Sequence, residues 1–338
     1  MPRFSLIVLN WNGHDLLKGC LSSIAQQTCN DFETLVVDNG STDESCALVE
    51  REFPGMRLIR NDRNLGFCEG NNVAMRQARG EFIVLVNNDA ELHPDFLTEL
   101  AAGCDADPDA GMYATRVLMF DRRDLIDSAG LLVYPDGVCR SRGWLDPDGP
   151  VYDEGADVLG PVGCAAAYRR AMLVDIGLFD ERYFAYLEDL DLAMRGQLRG
   201  WRCRYVPRAL SYHKKSMTSG YHSAFKAHLV ERNRIWNAVK LFPLRLLLLS
   251  PFYTLVRYAA QAFAAVSGRG ISSSYARDYT RVRLAGILLR AYRDAFRELP
   301  DVWRERRVIQ GRRKVGAFAM YSLMRRYRLA VRELAFKD

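Results

Sequence analysis

The chain has no C-x-x-C pair, no G-x-G-x-x-G after its first strand-like run, no apolar stretch of 18 uncharged residues, and only five histidines in 338 residues. Each absence excludes something. Eight scattered cysteines without C-x-x-C spacing indicate neither a zinc site nor a redox motif, and fit a reduced, cytosolic setting better than a secreted one. Asn10-Trp11-Asn12-Gly13 stands where a dinucleotide-binding oxidoreductase needs its glycine fingerprint. The longest apolar segment, Leu241–Ser267, is broken by Arg245, Arg257, Pro243 and Pro251, so a simple transmembrane helix is not expected. Met1-Pro2-Arg3-Phe4 enters a strand at once, so no signal peptide is expected.

What is present is unevenly charged. Residues 241–338 carry 20 Lys/Arg against 7 Asp/Glu, a net +13, while residues 1–240 carry 27 against 34, a net −7. A basic arm on an acidic body suggests an anionic partner for the arm. Nucleic acid is disfavoured, because the arginines sit in helical stretches with no recognition motif. Leu241–Ser267 reads either as a buried helix or as one lying in a membrane interface, with Phe252, Tyr253, Tyr258 and Phe263 at headgroup depth.

Four apolar runs near the start each end on polar residues: Phe4–Leu9 at Asn10 and Asn12, Thr34–Val37 at Asp38 and Asn39, Met56–Ile59 at Arg60 and Asn61, Phe82–Val86 at Asn87, Asn88 and Asp89. Helix-like stretches follow them at Asp15–Gln27, Asp43–Phe53, Phe67–Arg79 and Pro94–Asp105. Ser41 and Glu44 read as a capping box, and Pro94 as a first-turn residue. This alternation predicts parallel strands buried on both faces with right-handed crossovers. One sheet edge then collects the polar residues, where open α/β sheets bind ligands. Residues 113–160 read as hairpins and loops, Pro161–Tyr168 as a strand or turn, Arg170–Ile176 as a helix ended by Gly177, and Glu188–Arg199 as a helix stopped by Gly200. Trp201–Val206 reads as a strand, Ser211–Ser219 as a loop, and everything from Tyr221 as helical.

Five places carry chemistry. Asp89 can bind a hard divalent cation that bridges a diphosphate, or simply cap a turn. Asp38 can accept from a pyrimidine N–H or a ribose hydroxyl, or mark a turn. Asn64-Leu65-Gly66-Phe67, with Gly70-Asn71-Asn72, opens a helix whose glycines and N-terminus favour close phosphate approach. In Glu188-Asp189-Leu190-Asp191, clustered carboxylates raise one another, giving a group able to take a proton near neutral pH. Asp191 pairs with Arg195 at i, i+4 and Glu188 reads as a cap, whereas Asp189 lies on a different helical face. His213 gains meaning only beside these motifs, as a nitrogen ligand to the same metal, and a carboxylate–imidazole set suits Mn²⁺ somewhat better than Mg²⁺. Lys214 and Lys215 are either diphosphate contacts or a solvated pair.

Taken in chain order, Ile7-Val8-Leu9-Asn10-Trp11-Asn12-Gly13, Val36–Asp43, Asn64–Phe67 with Gly70–Asn72, Asn87-Asn88-Asp89, the Glu188–Arg195 knot and His213 resemble the inverting, GT-A-fold glycosyltransferases of family 2, and within them the bacterial rhamnosyltransferase-like branch, over roughly residues 3–240. The resemblance implies a mostly parallel, Rossmann-like α/β sheet flanked by helices. It implies a catalytic domain at 1–240, with a nucleotide-sugar half at 1–110 and an acceptor half at 111–240, and a helical extension at 241–338. Leu9, Asn10, Asn12 and Asp38 would hold nucleobase and ribose. Asn61, Asn64, Gly66, Asn71 and Asn72 would line the donor, with Asn87 and Asn88 on its sugar side. Asp89 and His213 would bind Mn²⁺ or Mg²⁺. Asp189 would be the general base, supported by Glu188, Asp191 and Arg195. Asn87 departs from the family's Asp-x-Asp, so metal affinity is expected to be weaker or to depend on bound diphosphate. The implied partners are a nucleotide-diphospho-sugar, such as dTDP-rhamnose, and a cell-surface glycan or lipid-linked acceptor. The cysteine usage, the +13 segment and the apolar Leu241–Ser267 stretch lead to an expected location in the cytoplasm, peripheral on the inner membrane face. A non-catalytic membrane scaffold is the competing reading, and it leaves the acidic knot and His213 idle.

Overall fold

A computed structural model describes residues 1–214, 223–268 and 278–337. The chain divides into two compact units: Met1–Leu131 with Ser141–Gly196 and Trp201–Thr218, and Leu132–Arg140 with Gln197–Gly200 and Ser219–Asp338. The second unit takes in two short upstream segments and the helix that begins at Ala224.

In the first unit the expected alternation is present. It runs β1 (Phe4–Asn10), α1 (His14–Ala25), β2 (Phe32–Asp38), α2 (Ser45–Glu52), β3 (Arg57–Arg60), α3 (Gly66–Met75) and β4 (Phe82–Asn87). β1 pairs in parallel with β2 and β4, so Asn10 stands opposite Asp38 and Leu9 opposite Asn87. Continuous short Val/Leu/Ile runs suit parallel strands whose two faces are both covered. Phe4, Leu6, Val8, Val36, Val84 and Val86 accordingly pack with Leu17, Leu21 and Ile24 of α1 in one core. β3 is the exception to burial on both faces: it is the sheet edge, with Arg57 and Arg60 exposed.

After β4 come β5 (Ala90–Leu92), α4 (Phe96–Ala106) and β6 (Ala110–Met119). Pro94 lies in the turn before α4, whose flanking residue is Asp95, and not in its first turn. β6 corrects the expectation of loops from residue 113. It is a ten-residue, almost wholly buried strand inside the sheet. The unit continues with β7 (Ile126–Ser128) and β10 (Asp157–Val158), while the two-stranded hairpin β8 (Leu131–Val133) and β9 (Cys139–Ser141) between them falls mostly in the second unit's Leu132–Arg140 segment. It ends with β11 (Ala165–Arg169), α5 (Arg170–Ile176), α6 (Glu188–Leu198) and β12 (Arg202–His213). The sheet order is β10-β12-β6-β11-β4-β1-β2-β3, with β11 antiparallel to both neighbours and β12 parallel to β6. β12 runs through Ser211–His213, where a loop was expected. Its register on β6 jumps between Val206 and Leu210, so a bulge carries the strand past Pro207. Lys215 and the rest of that expected loop lie outside the described residues.

The second unit is helical: α7 (Ala224–Leu241), α8 (Leu244–Val266), α9 (Arg281–Arg297), α10 (Leu299–Gly311), α11 (Ala317–Arg326) and α12 (Val331–Phe336). Among the described residues no helix is long and apolar enough to cross a membrane.

Candidate functional site at the carboxyl ends of the strands

Parallel register brings the ends of β1, β2 and β4 to one edge. The Asn39 N–H donates to Asn10 O and the Asn61 N–H to Asp38 O, both at 2.8 Å, so each strand end is tied to the next. Asp38 is buried. Its Oδ2 accepts from the Ser41 N–H at 3.0 Å, and its Oδ1 has no partner. A dehydrated acceptor without a donor is costly, and a ligand N–H or O–H would satisfy it. Asn88 donates to Asn10 Oδ1 at 2.8 Å across the same edge. Gly13 permits that pair, since a Cβ there would lie 2.3 Å from Asn88 Nδ2.

Many of the other donor-side asparagines hold the chain itself. Asn12, at φ 48°, accepts from the Thr42 N–H, and its own N–H donates to Ser41 Oγ. Ser41 is thereby used in joining two loops, and α2 forms without the expected capping box: its flanking residue is Glu44, with no side-chain cap. Asn39 is the hub. Its Nδ2 donates to Asn64 Oδ1 and Gly66 O, while its Oδ1 accepts from Asn61 Nδ2 and the Leu65 N–H. Asn71 donates back to Phe67 O, and Asn72 both accepts from and donates to the backbone of Phe179. The Leu9 side chain packs on Gly70, where a Cβ would come within 2.7 Å of Leu9 Cδ1.

Two residues far apart in sequence do converge. β5 pairs with β12 so that Ala90 faces His213, and the Lys214 N–H donates to Asp89 O at 2.9 Å. His213 Nε2 then lies 3.1 Å from Asp89 Oδ1, and its Nδ1 lies 2.8 Å from Asp127 Oδ2. All three groups are buried or nearly so. Burial lowers the imidazole pKa, but Cys164, Asp127 and Asp89 outweigh it and hold the ring well above its ordinary value. Asp127, on β7, was not legible in the sequence; its only signal was a carboxylate between Ile126 and Ser128.

Asp89 and His213 are spaced as two neighbouring ligands of one divalent cation would be. Ligands about 2.1 Å from one ion at right angles stand about 3 Å apart, and Asp127 fixes the imidazole from its far nitrogen as metal-bound histidines require. Among the described residues no group of three or more His, Cys, Asp or Glu side chains is placed to hold a metal, so other ligands would come from diphosphate and water. Lys214, read as either a diphosphate contact or half of a solvated pair, donates to Glu91 Oε1 at 2.9 Å.

The acidic knot opens α6. Asp191 accepts from Arg195 Nε at 2.8 Å, and the Arg195 guanidinium also donates to the carbonyls of Ile176, Gly177 and Leu178, tying α6 to the end of α5. Glu188 is buried, with Oε2 unpartnered. Burial, then the Asp189 charge, lifts its carboxyl to about 8, so it is Glu188 that sits near neutrality. Asp189 is only partly buried, and its Oδ1 accepts from the Leu190 N–H at 2.7 Å. The Cys68 and Tyr168 side chains feel the charges of Glu188 and Asp189, which sets the knot against α3 and β11. The α3 N-terminus is not open to phosphate. The N–H groups of Phe67 and Cys68 both donate to Phe184 O, at 2.6 and 3.1 Å.

A family model described as Glycosyl transferase family 2 matches residues 5–177, just over half the chain. The O-antigen biosynthesis protein RfbC of Myxococcus xanthus is 30% identical over 212 residues, covering 60% of this chain but only 16% of that protein. An N-acetylglucosaminyl-diphospho-decaprenol L-rhamnosyltransferase of Mycobacterium tuberculosis is 25% identical over 277 residues, covering 65% of this chain and 81% of the relative. Among solved structures, a mannosyltransferase from Pyrobaculum calidifontis in complex with GDP-Man and Mn²⁺ matches at TM-score 0.56 and 20% identity, over 87% of both chains. A TarS fragment from S. aureus with UDP-GlcNAc matches at TM-score 0.55 and 20% identity, over 97% of this chain and 89% of that one. These two share the GT-A fold with the first unit's mixed, mostly parallel sheet.

Proposed function

Because the chain belongs to glycosyl transferase family 2, we propose that it moves a sugar from a nucleotide-diphospho-sugar to a hydroxyl of a glycan or lipid-linked acceptor, with inversion. The observation that carries this reading is the His213–Asp89 contact of 3.1 Å, braced by Asp127. Asp38 Oδ1 accepts from the base or ribose. Asp89 and His213 would hold Mn²⁺ or Mg²⁺, with Asn87 on the nucleotide-sugar side. When bound, the cation supplies Lewis-acid neutralisation of the departing diphosphate. Asp189 takes the proton from the acceptor hydroxyl as that oxygen bonds to the anomeric carbon, and the bond to diphosphate breaks on the opposite face with its electron pair. The name of the mycobacterial relative favours rhamnose as the sugar, and dTDP-rhamnose as the first donor to try.

Thermal shift against UDP-, GDP- and dTDP-sugars, with and without Mn²⁺, tests the reading. A true donor at a hundredfold excess over Kd stabilises by about 2.7 kcal/mol. Asp189→Asn should keep that shift and lose roughly 10²–10⁴ in turnover. No stabilising nucleotide-sugar, or full activity in Asp189→Asn, overturns it.

We also propose that the second unit rests on an anionic membrane surface. The outward side of α8 supports this, since it carries Leu248, Phe252, Leu255, Phe263 and Val266, each more than 60% exposed. Vesicle flotation is the measurement.

A further inference from the structure

Of the four positions 184–187 before α6, three non-glycine residues lie at positive φ: Phe184 (φ 62°), Tyr186 (φ 70°) and Leu187 (φ 67°). Phe184 is the centre of a γ-turn. Its φ and ψ are 62° and −61°, and the Ala185 N–H donates to Tyr183 O at 2.7 Å. That turn is rare and strained, so the surroundings must hold it. What holds it is the start of α3. The Phe67 and Cys68 N–H groups both end on Phe184 O, and Gly66, at φ +80°, leaves the space that the Phe184 ring and carbonyl fill. A Cβ on Gly66 would lie 2.6 Å from Phe184 Cδ2 and 2.7 Å from Phe184 O. Gly66 is itself fixed: its N–H donates to Asn64 Oδ1 and its carbonyl accepts from Asn39 Nδ2.

We propose that Asn64-Leu65-Gly66-Phe67 is a latch for the loop that presents Asp189, with Gly66 and Phe184 as positioning residues, and not a phosphate-binding turn. The chain of contacts runs from Asn39, at the end of β2, through Asn64 and Gly66 to Phe184. Five residues later it reaches Asp189. The helix dipole and first N–H groups that would attract an anion are turned onto a backbone carbonyl instead. This rests on the reading of Asp189 as the base, and ties the placement of that base to the donor-side loops.

Gly66→Ala, compared with Asp189→Asn, separates the two ideas. Turnover is read as nucleoside diphosphate release from whichever UDP-, GDP- or dTDP-sugar the native protein uses fastest. The latch predicts that Gly66→Ala loses about a hundredfold in kcat, the scale of a misplaced catalytic group, with the donor KM within twofold. A rise in KM at unchanged kcat makes the motif a donor site and overturns the latch. Unchanged kcat and KM overturn it too, while an active Asp189→Asn sinks the base assignment alone. Hydrogen exchange on the native protein needs neither donor nor variant folding. The Phe67 and Cys68 amides should open together with the amides of residues 185–190. Free exchange of 185–190 beside a protected α3 start overturns the latch.

Discussion

Two neighbouring carboxyl groups receive opposite environments. Glu188 is buried and lifted to about 8, whereas Asp189 is partly open to water. The consequence for stability has a definite sign. Below about pH 4.5 the glutamic acid is neutral in folded and unfolded chains alike. Between there and pH 8 the unfolded chain ionises while the folded one stays neutral, so stability falls as pH rises through that window. One pKa unit is worth about 1.4 kcal/mol, so the total is on the order of a few kcal/mol. Glu188→Gln should remove this slope. Urea midpoints at pH 5, 6.5 and 8 should show the native protein losing ground to the variant as pH rises. Parallel curves would mean that the buried carboxyl is already paired or ionised.

At the scale of elements, asparagine amides do much of the joining. Asn39 makes four hydrogen bonds that gather Asn61, Asn64, Leu65 and Gly66 beneath the end of β2. Asn39→Ala leaves several of these buried groups without partners, each costing about 1–3 kcal/mol. We expect a loss of about 2–4 kcal/mol in chemical unfolding, and a loss under 0.5 kcal/mol would show that water replaces the hub. β12 shows how an element can hide. Pro207 forbids a plain strand, so the sequence pattern stops at Val206, yet the bulge lets the chain rejoin β6 and deliver His213 to Asp89.

In the second unit, α8 buries Leu246, Thr254, Arg257 and Ala264 and leaves much of its apolar surface exposed. Its buried side carries Arg257, which donates to Asp136 and Glu231, and Arg234 and Tyr258 donate to the same Glu231. Burial would raise the Glu231 carboxyl, but Arg257 and Arg234 prevail and hold it at about 2. A contiguous exposed face of leucine and phenylalanine is unfavourable against water and favourable against an apolar phase. On the proposal that this unit rests on a membrane, the +13 carried by residues 241–338 would select an anionic surface. The native chain should float with phosphatidylglycerol vesicles and much less with phosphatidylcholine. Leu248→Glu combined with Leu255→Glu should abolish flotation at unchanged thermal stability. Equal recovery of both proteins, or a dimer that the same changes dissolve, would rule out membrane docking.

The sequence alone determined the β1–β4 alternation, the sheet edge rich in asparagine and aspartate, the α5 and α6 boundaries at Gly177 and Gly200, and the Asp191–Arg195 pair. All of these are set by local periodicity, by glycine at positive φ, or by i, i+4 spacing. Only the tertiary structure decided that β6 lies inside the sheet and that Asp127 braces His213. Only it decided that Gly66 and the α3 N-terminus receive Phe184 rather than a phosphate. Those facts depend on strand order, on a bulge and on a strained turn, where residues a hundred positions apart meet, and no local pattern encodes such meetings.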